Sequence, residues 1–238
     1  MAQAGGGGFS WKSLQFWASI PVLLVSLFIG GFFFRPFLVI SVLLIAGLVL
    51  SRRPGKAGPI VLLIASILTI VLNVGDPGLV PAFVNLNAAA DFVPRLLGLG
   101  GAVIALIAGI MALRQGATPS PAAKTFGMAV LAVAVLLIAA SAYTTATFES
   151  DARESGDAQV SAKDFEFEQD QIEADGPEVV IFFTNPDPSL HTFTIDALEV
   201  DLAVPPGKAK RVAFQADPGT YDFYCAPHPD MTGKLVVG

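Results

Sequence analysis

Five apolar runs in the first 148 residues of this 238-residue chain constrain its fold more than any other feature. They have no Asp, Glu, Lys, Arg or His in their interiors, and they cover residues 14–34, 37–50, 59–74, 96–113 and 126–143. A helix needs about 20 apolar residues to span a bilayer, so the second and third runs are marginal in length. Any one short run also fits a buried helix of a soluble protein, but five in succession indicate a membrane domain. We therefore predict an α-helical transmembrane bundle of about five helices within residues 1–144.

The first run is predicted to be a retained helix rather than a cleaved signal peptide. Lys12 precedes it, as a basic residue does in a signal peptide, but the run is longer than a signal-peptide core. The sequence FFFRPFL at its end also offers no cleavage site with small residues.

Charge is divided unequally between the two parts of the chain. Up to residue 148 there are eight Lys and Arg against two acids, and from residue 149 onward there are six against eighteen. Such asymmetry indicates two domains in two environments. The basic residues are few and scattered, so the sequence gives no sign of nucleic-acid binding.

The basic residues also predict an orientation in the membrane. If the N-terminus is inside, the inside segments carry six basic residues, whereas the outside segments carry only Arg35 and Arg95. Cytoplasmic loops are enriched in Lys and Arg, so we expect a cytoplasmic N-terminus. Five spans then place the C-terminus on the extracytoplasmic, or periplasmic, side of the cell membrane, and failure of one weak run to span would reverse this. The six inside residues are Lys12, Arg52, Arg53, Lys56, Arg114 and Lys124.

The composition changes abruptly after Tyr143. Residues 145–157 are polar and acidic and contain no large aliphatic side chain, as expected of a linker. From residue 158, short segments of alternating polarity, rich in Val, Phe and Tyr, are separated by the turn sequences DGPE, NPDP, VPPGK and DPGT. Seven such segments in about 80 residues predict an all-β antiparallel sandwich over residues 158–238.

This last domain concentrates the metal-binding residue types of the chain in one pattern. It contains the only cysteine, both histidines and one methionine. Cys225 ends a predicted strand, His228 and Met231 follow in a short predicted loop, and His191 begins another strand. Singly, each residue has an ordinary explanation as a buried small side chain or a satisfied polar group. Together, one thiolate, two imidazoles and one thioether form the ligand set of a mononuclear blue-copper centre.

The stretch GTYDFYCAPHPDMTGKLVVG closely resembles the copper-loop end of cupredoxins, the plastocyanin–amicyanin family. Its C-x2-H-x2-M spacing is similar to that of amicyanin, and VVIFFTNPDPSLHTFTI resembles the segment that carries the first histidine of the family. The likeness covers residues 158–238 and implies one type 1 copper ion. It implies that His191 and His228 are equatorial nitrogen ligands. It also implies that Cys225 is the thiolate ligand and Met231 the axial sulfur.

One residue departs from the family pattern. Thr192 stands where members often have Asn, which leaves open how the hydrogen bond around the site is made. In the family, electrons enter through the exposed edge of the histidine in the ligand loop, which implies that role for His228. An apolar collar suited to a transient contact is expected around it, formed by Leu190, Ala226, Pro227 and Pro229.

The histidine count argues against a copper enzyme. Multicopper oxidases and copper nitrite reductases resemble cupredoxins but need further histidines, and both histidines of this chain are already assigned. A binuclear purple-copper centre needs two cysteines. Zinc could occupy the four ligands adventitiously, although structural zinc sites rarely use Met. We predict no catalytic residues and no small-molecule substrate site.

Two functions remain open. The first is a membrane-anchored electron carrier that exchanges single electrons with a redox partner protein, a cytochrome or a membrane complex. The second is an extracytoplasmic copper-handling protein for storage, delivery, sensing or resistance. A closed four-ligand site without exposed Met and His clusters favours the electron carrier. The acidity of the outer domain either steers a basic redox partner or is a solubilising surface.

Overall fold

The computed structural model describes residues 8–32 and 34–238. The chain forms two compact units. The first extends up to Asp76 and includes Pro94–Leu137, and the second consists of Pro77–Val93 and Ile138–Gly238. The C-terminal domain therefore shares a unit with a short segment of the N-terminal half, which the sequence does not predict.

Helices form the described N-terminal part of the chain. They are α1 (Trp11–Phe32), α2 (Pro36–Ser51), α3 (Ala57–Val74), α4 (Leu79–Val84), α5 (Ala89–Arg95), α6 (Gly101–Gln115) and α7 (Pro121–Ala146). A π-helical turn, Leu96–Gly100, joins α5 to α6, so that Ala89–Gln115 is one long apolar helix.

The predicted helical region with several candidate membrane spans is confirmed. By length and composition, four helices in the part of the chain that the structure describes could cross a membrane: α1, α3, Ala89–Gln115 and α7. α2 is apolar but has only 16 residues. At about 1.5 Å per residue it is shorter than the hydrocarbon core of about 30 Å, so it remains the weakest of the five predicted spans.

Small residues allow close helix packing in the first unit. A Cβ on Gly47 would lie 2.6 Å from Leu62 Cδ2, and one on Gly101 would lie 2.9 Å from Val22 Cγ2. Helices in lipid associate through such small residues, because their backbones can approach closely. Several buried hydroxyls donate to the carbonyl four residues earlier in their own helix; these belong to Ser19, Ser41, Ser66 and Thr69.

Nine β-strands form the described C-terminal domain. They are β1 (Ala158–Lys163), β2 (Glu166–Phe167), β3 (Gln171–Ala174), β4 (Glu178–Asn185), β5 (His191–Ile195), β6 (Val200–Val204), β7 (Lys208–Gln215), β8 (Gly219–Cys225) and β9 (His228–Val237). One sheet has the order β2-β1-β4-β7 and the other β3-β9-β8-β5-β6. The predicted two-sheet sandwich is therefore confirmed.

The sandwich is mixed rather than purely antiparallel. β1 pairs with β4, and β3 with β9, in parallel. Alternating polarity reports which face of a strand is buried and not the direction of its neighbour, so the sequence could not predict these pairs. The first predicted segment also divides into β1, β2 and β3. A two-residue turn with positive φ at Asp164 and Phe165 reverses the chain between the first two.

Aromatic rings fill the space between the sheets. Phe183 of β4, Phe193 of β5 and Phe223 of β8 are fully buried. The ring centroid of Phe193 lies 6.2 Å from that of Phe183 and 4.8 Å from that of Phe223. Cys225 and Met231 belong to the same cluster of buried residues. Two of the predicted ligands, Cys225 and Met231, are therefore part of a packed core.

Residues 147–157, which we call the strap, follow α7 and lie along β7. The N–H of Asp151 donates to Ala209 O, and the N–H of Arg211 donates to Asp151 Oδ2. The Arg211 side chain also donates twice to the carboxylate of Asp157, at 2.8 Å each. The segment that resembles a linker in sequence is thus tied to the edge of a sheet.

Candidate metal centre

Three strands of the five-stranded sheet carry the predicted equatorial ligands. His191 is the first residue of β5, and Cys225 is the last residue of β8, which pairs with β5. A tight turn at residues 226–227 leads into β9, which begins at His228. Cys225 and His228 are cross-strand partners. Strand pairing therefore brings all three side chains to one end of the sheet.

The three donor atoms surround a common point. His191 Nδ1 and His228 Nδ1 are 3.2 Å apart, and each lies 3.5 Å from Cys225 Sγ. The point equidistant from the three atoms is about 2.0 Å from each, close to the lengths of about 2.0–2.1 Å for nitrogen and about 2.3 Å for sulfur in zinc sites. Two imidazoles and a thiolate in a trigonal array are also the equatorial donors of blue copper. The cluster therefore fits a metal ion of this size and preference.

His191 is fully buried and is oriented by Asp187. Its Nε2 lies 3.0 Å from Asp187 Oδ2. Burial lowers the pKa of His191, and the neighbouring carboxylate of Asp187 only partly opposes this, so the ring is neutral near pH 7. A neutral ring that donates its one proton from Nε2 leaves Nδ1 unprotonated. Asp187 therefore selects the tautomer whose Nδ1 faces Cys225 and can bind a metal.

The backbone holds Asp187 in turn. The N–H of Asp164 donates to its Oδ1 at 2.8 Å, and the N–H of Phe165 donates to its Oδ2 at 2.9 Å. Burial by itself raises the pKa of Asp187, but these two bonds and His191 outweigh it, so that the pKa is lowered. The turn between β1 and β2 thus fixes an ionised carboxylate, which fixes His191.

Cys225 is fully buried and accepts a backbone hydrogen bond. The N–H of Thr192 donates to Cys225 Sγ at 3.3 Å. Burial raises the pKa of the Cys225 thiol more than the hydrogen bonds from Thr192 and His228 lower it. Metal binding has to displace this proton, because the thiolate is the metal ligand.

Thr192, where cupredoxins often have Asn, ties the ligand strands together through hydroxyl groups. The N–H of Ala226 donates to Thr192 Oγ1 at 2.8 Å. Thr194 Oγ1 donates to Asp201 Oδ1 at 3.0 Å, so the Thr192 hydroxyl donates to Thr194 Oγ1, 2.9 Å away. A threonine thus supplies the link between β5 and the residue that follows Cys225.

His228 and Met231 both fall within β9, so the predicted loop position is wrong: the turn has only residues 226–227. The ladder shifts register between the pair of Tyr224 and Thr232 and the pair of Cys225 and His228, so Met231 lies in a bulge of β9 formed by residues 229–231. Met231 is buried in the core cluster that includes Cys225. Its role as axial ligand stays a prediction.

The surface around His228 differs from the predicted apolar collar. Leu190 is only 1% exposed and Pro227 is also buried, so their assignment to an exposed collar is wrong. Pro229 is exposed and Ala226 is partly exposed. Half of the predicted collar therefore remains at the surface.

Phe165 supplies apolar surface that the sequence does not predict. Its ring is 42% exposed, and its centroid lies 5.0 Å from that of His228 and 5.6 Å from that of His191, in edge-on arrangements. A φ of 62° is unusual for a bulky residue, and such conformations concentrate at functional sites. The hydrogen bond to Asp187 holds Phe165 in this position beside both imidazoles.

Residues 128–237 match the family model described as "Cupredoxin-like domain". The C-terminal domain is cupredoxin-like. Similar solved structures include a reduced mutant of amicyanin, with 23% identity over 36% of this chain and 86% of that chain and a TM-score of 0.32. They also include the Cu(I) form of another amicyanin mutant, with 22% identity over 38% of this chain and 90% of that chain and a TM-score of 0.33.

Amicyanin from Paracoccus versutus (Thiobacillus versutus) is a further similar structure, with 17% identity, 36% of this chain and 85% of that chain covered, and a TM-score of 0.31. No curated protein matches the chain.

Two residues of the cupredoxin-like site are not apparent from sequence. Asp187 lies in NPDPSL, which looks like an ordinary turn; a carboxylate four residues before His191 was the available signal. Phe165 lies in DFEF, where alternating polarity predicts a continuous strand. Its place beside the histidines depends on a turn of two non-glycine residues, for which sequence offers no signal.

Proposed function

We propose that this chain is a membrane-anchored type 1 copper protein that carries single electrons on the extracytoplasmic face of the membrane. The convergence of His191 Nδ1, Cys225 Sγ and His228 Nδ1 on one point carries this proposal. Met231 is the proposed axial donor. Copper, when bound, supplies a one-electron couple between Cu(I) and Cu(II).

The surrounding residues keep the donor atoms in place during electron exchange. Asp187 retains the proton on His191 Nε2, and the backbone N–H of Thr192 donates to Cys225 Sγ. The hydroxyl of Thr192 fixes the residue after Cys225. Because the protein makes these contacts by itself, the donors need little rearrangement when the charge of the site changes, which favours electron transfer.

His228 is the proposed point of electron entry and exit. It is partly exposed, whereas His191 is fully buried. Phe165 and Pro229 provide exposed apolar surface beside it, which suits a short-lived contact with a cytochrome or a membrane complex. The acidity of the domain favours a partner with a basic docking surface, because complementary charge accelerates encounter.

The test is the visible spectrum of the full chain in detergent with one equivalent of Cu(II). We expect an intense blue colour that a mild reductant bleaches and an oxidant restores. Cys225→Ser removes the thiolate, so this variant is expected to lose the colour. A pale complex in the parent protein, or copper held only as Cu(I), would contradict electron transfer and favour copper storage or delivery.

A further inference from the structure

A carboxylate from the helical half of the chain contacts the turn that precedes His191. Asp91 Oδ1 accepts a hydrogen bond from Ser189 Oγ, and Asp91 Oδ2 accepts one from the N–H of Leu190, both at 2.8 Å. Asp91 is only 8% exposed and lies about 100 residues before its partners in sequence. It belongs to the segment Pro77–Val93, which shares a compact unit with the cupredoxin-like domain.

The C-terminal end of α7 also forms hydrogen bonds with the segment Pro77–Val93. Ser141 Oγ donates to Leu86 O at 2.6 Å, and Thr145 Oγ1 donates to Asn87 O at 2.8 Å. The N–H of Ala89 also donates to Thr145 Oγ1 at 3.2 Å. Asp91 therefore extends from a segment that is anchored to the helix leading into the β-domain.

The contacted turn, residues 186–190, carries the groups that define the metal site. It contains Asp187, and His191 follows it directly. Two hydrogen bonds from Asn185 stabilise this turn: its Nδ2 donates to Ser189 O at 2.8 Å, and its Oδ1 accepts from the N–H of Asp187 at 3.0 Å. Asp91 binds the same turn from a distant segment of the chain, and its two hydrogen bonds fix the backbone immediately before His191.

We propose that Asp91 is a positioning residue for the metal centre: it holds the turn at 186–190 and so sets the position of His191 Nδ1. The proposal rests on the proposed copper function. The metal site is thus completed by a residue of the segment between two apolar helices, outside the cupredoxin-like domain.

Two consequences distinguish this role from simple packing. Asp91→Asn replaces a charged acceptor of two hydrogen bonds by one neutral amide oxygen, which weakens the bond to the Leu190 N–H and loosens the turn even without copper. It also removes a negative charge close to the site, and a negative charge stabilises Cu(II) relative to Cu(I). Asp91→Asn is therefore expected to raise the reduction potential and to weaken Cu(II) binding by 10- to 100-fold, the range typical of groups that orient metal ligands.

The experiment compares the parent chain, Asp91→Asn and the control Asp76→Asn, all full length in detergent. Asp76→Asn removes the same charge 15 residues earlier in the chain, where the carboxylate pairs with Arg95 at 2.9 Å. Hydrogen exchange at the Leu190 amide is measured in the copper-free proteins. Copper affinity, the electron paramagnetic resonance spectrum and the reduction potential are measured in the loaded ones.

We expect faster exchange at Leu190, weaker Cu(II) binding and a raised potential in Asp91→Asn only. Unchanged exchange would overturn the contact, and faster exchange with unchanged copper properties would overturn the positioning role. If Asp91→Asn does not fold, Ser189→Ala removes one of the two hydrogen bonds but keeps the charge. It is expected to give smaller increases in exchange and smaller losses of Cu(II) affinity, with little change in potential, and unchanged exchange and affinity would overturn the proposal. Absence of a blue centre in the parent chain would instead refute the proposed function, while exchange at Leu190 would still report on the contact.

Discussion

At the scale of single residues, rare and common residue types contribute to the metal centre in different ways. His191, Cys225 and His228 are the predicted donors, whereas Asp187 and Thr192 hold the residues that carry those donor atoms. A donor that rotates freely loses conformational entropy on binding a metal, and a fixed donor does not. The orienting residues therefore control affinity without touching the metal.

Asp187→Ala is expected to weaken Cu(II) binding by 10- to 100-fold, because His191 loses the acceptor that selects its tautomer. Asp187→Asn retains an oxygen acceptor and is expected to bind with intermediate affinity. Competition with a chelator of known affinity measures the effect. Asp217→Ala, which changes an exposed carboxylate elsewhere in the domain, serves as the control. Equal affinities for Asp187→Ala and the control would refute the role of Asp187.

Met231→Leu tests the one predicted ligand that geometry leaves open. We expect copper and the blue colour to be retained, because the three equatorial donors remain. The reduction potential is expected to rise, since a thioether donor stabilises Cu(II) more than leucine does. Redox titration measures the change, and Met128→Leu on α7 is the matched control. A potential equal to that of the control would show that Met231 is only a core residue.

At the scale of elements, the hairpin of β8 and β9 depends on a glycine behind the site. A Cβ on Gly233 would overlap the ring of Phe223 and would lie 2.8 Å from Asp170 O. The Phe223 ring is fully buried and packs against Phe193 and Phe167, so it has no room to move. The hairpin that carries three of the four predicted ligands therefore has no room for a side chain at this position.

Gly233→Ala is expected to destabilise the domain by about 1–3 kcal/mol through overpacking. Gly219→Ala is the matched control in the same hairpin, because its Cβ would meet only Tyr221, at 3.7 Å or more. Thermal unfolding of the full chain, followed by near-ultraviolet circular dichroism, compares the two variants. Similar unfolding temperatures for both would contradict the packing described for Phe223.

The carboxylates of the strap are expected to make the stability of the domain depend on pH in the acid range. Hydrogen bonds from Arg211 lower the pKa of Asp157 and of Asp151. A carboxyl group with a lowered folded pKa stabilises the fold above its unfolded value, near pH 3.9 for Asp, and loses that contribution as pH falls through the folded pKa. The domain is therefore expected to lose stability as the pH falls below about 4.

Arg211→Gln is expected to reduce this dependence on pH, because Asp157 loses its cationic partner. Asp151 keeps the backbone bond from residue 211 and its pair with Lys210, so its contribution is retained. The variant is also expected to unfold at a lower temperature at pH 7. Lys163→Gln, which affects an exposed pair with Glu168 at 3.7 Å, is the control and is expected to retain the slope of the parent. The measurement is the unfolding temperature of the copper-free chain between pH 3 and pH 7. An unchanged slope in Arg211→Gln would contradict the proposed cause.

At the scale of the whole molecule, the number of membrane crossings decides on which side the cupredoxin-like domain lies. Among the described residues, four helices have sufficient length and hydropathy, and α2 is shorter. An odd number of crossings from a cytoplasmic N-terminus places the cupredoxin-like domain outside, and an even number places it inside. The distribution of Lys and Arg favours five crossings.

Reporter fusions test this orientation. A cytoplasmic reporter is expected to be active after Arg53 and after Gly116, and a reporter that requires export is expected to be active after Thr147. If α2 does not cross, all three fusions, after Arg53, Gly116 and Thr147, exchange sides, because each later crossing is inverted. Export-dependent activity after Arg53 would therefore refute the five-span topology.

Much of the metal centre and the outline of both regions could be predicted from sequence. The donors His191, Cys225 and His228 are of types that occur once or twice in the chain, so their grouping is visible without structure. Membrane character is likewise a local property, because apolar burial adds up residue by residue along a run. Period-two alternation located β4 at its observed position, because alternate residues of this strand face the core. It also located β5, although every residue of that strand is buried.

Tertiary structure alone decided how these donors are held. Asp187, Phe165 and Asp91 belong to types that are common in the chain, and they reach the site through a turn, a hairpin and a contact across about 100 residues. Contacts of this kind leave no period or spacing in a single sequence, because they depend on which segments come together when the core closes. The sequence therefore determined which atoms can bind the metal. The fold decided which groups position those atoms and which surface around His228 remains open.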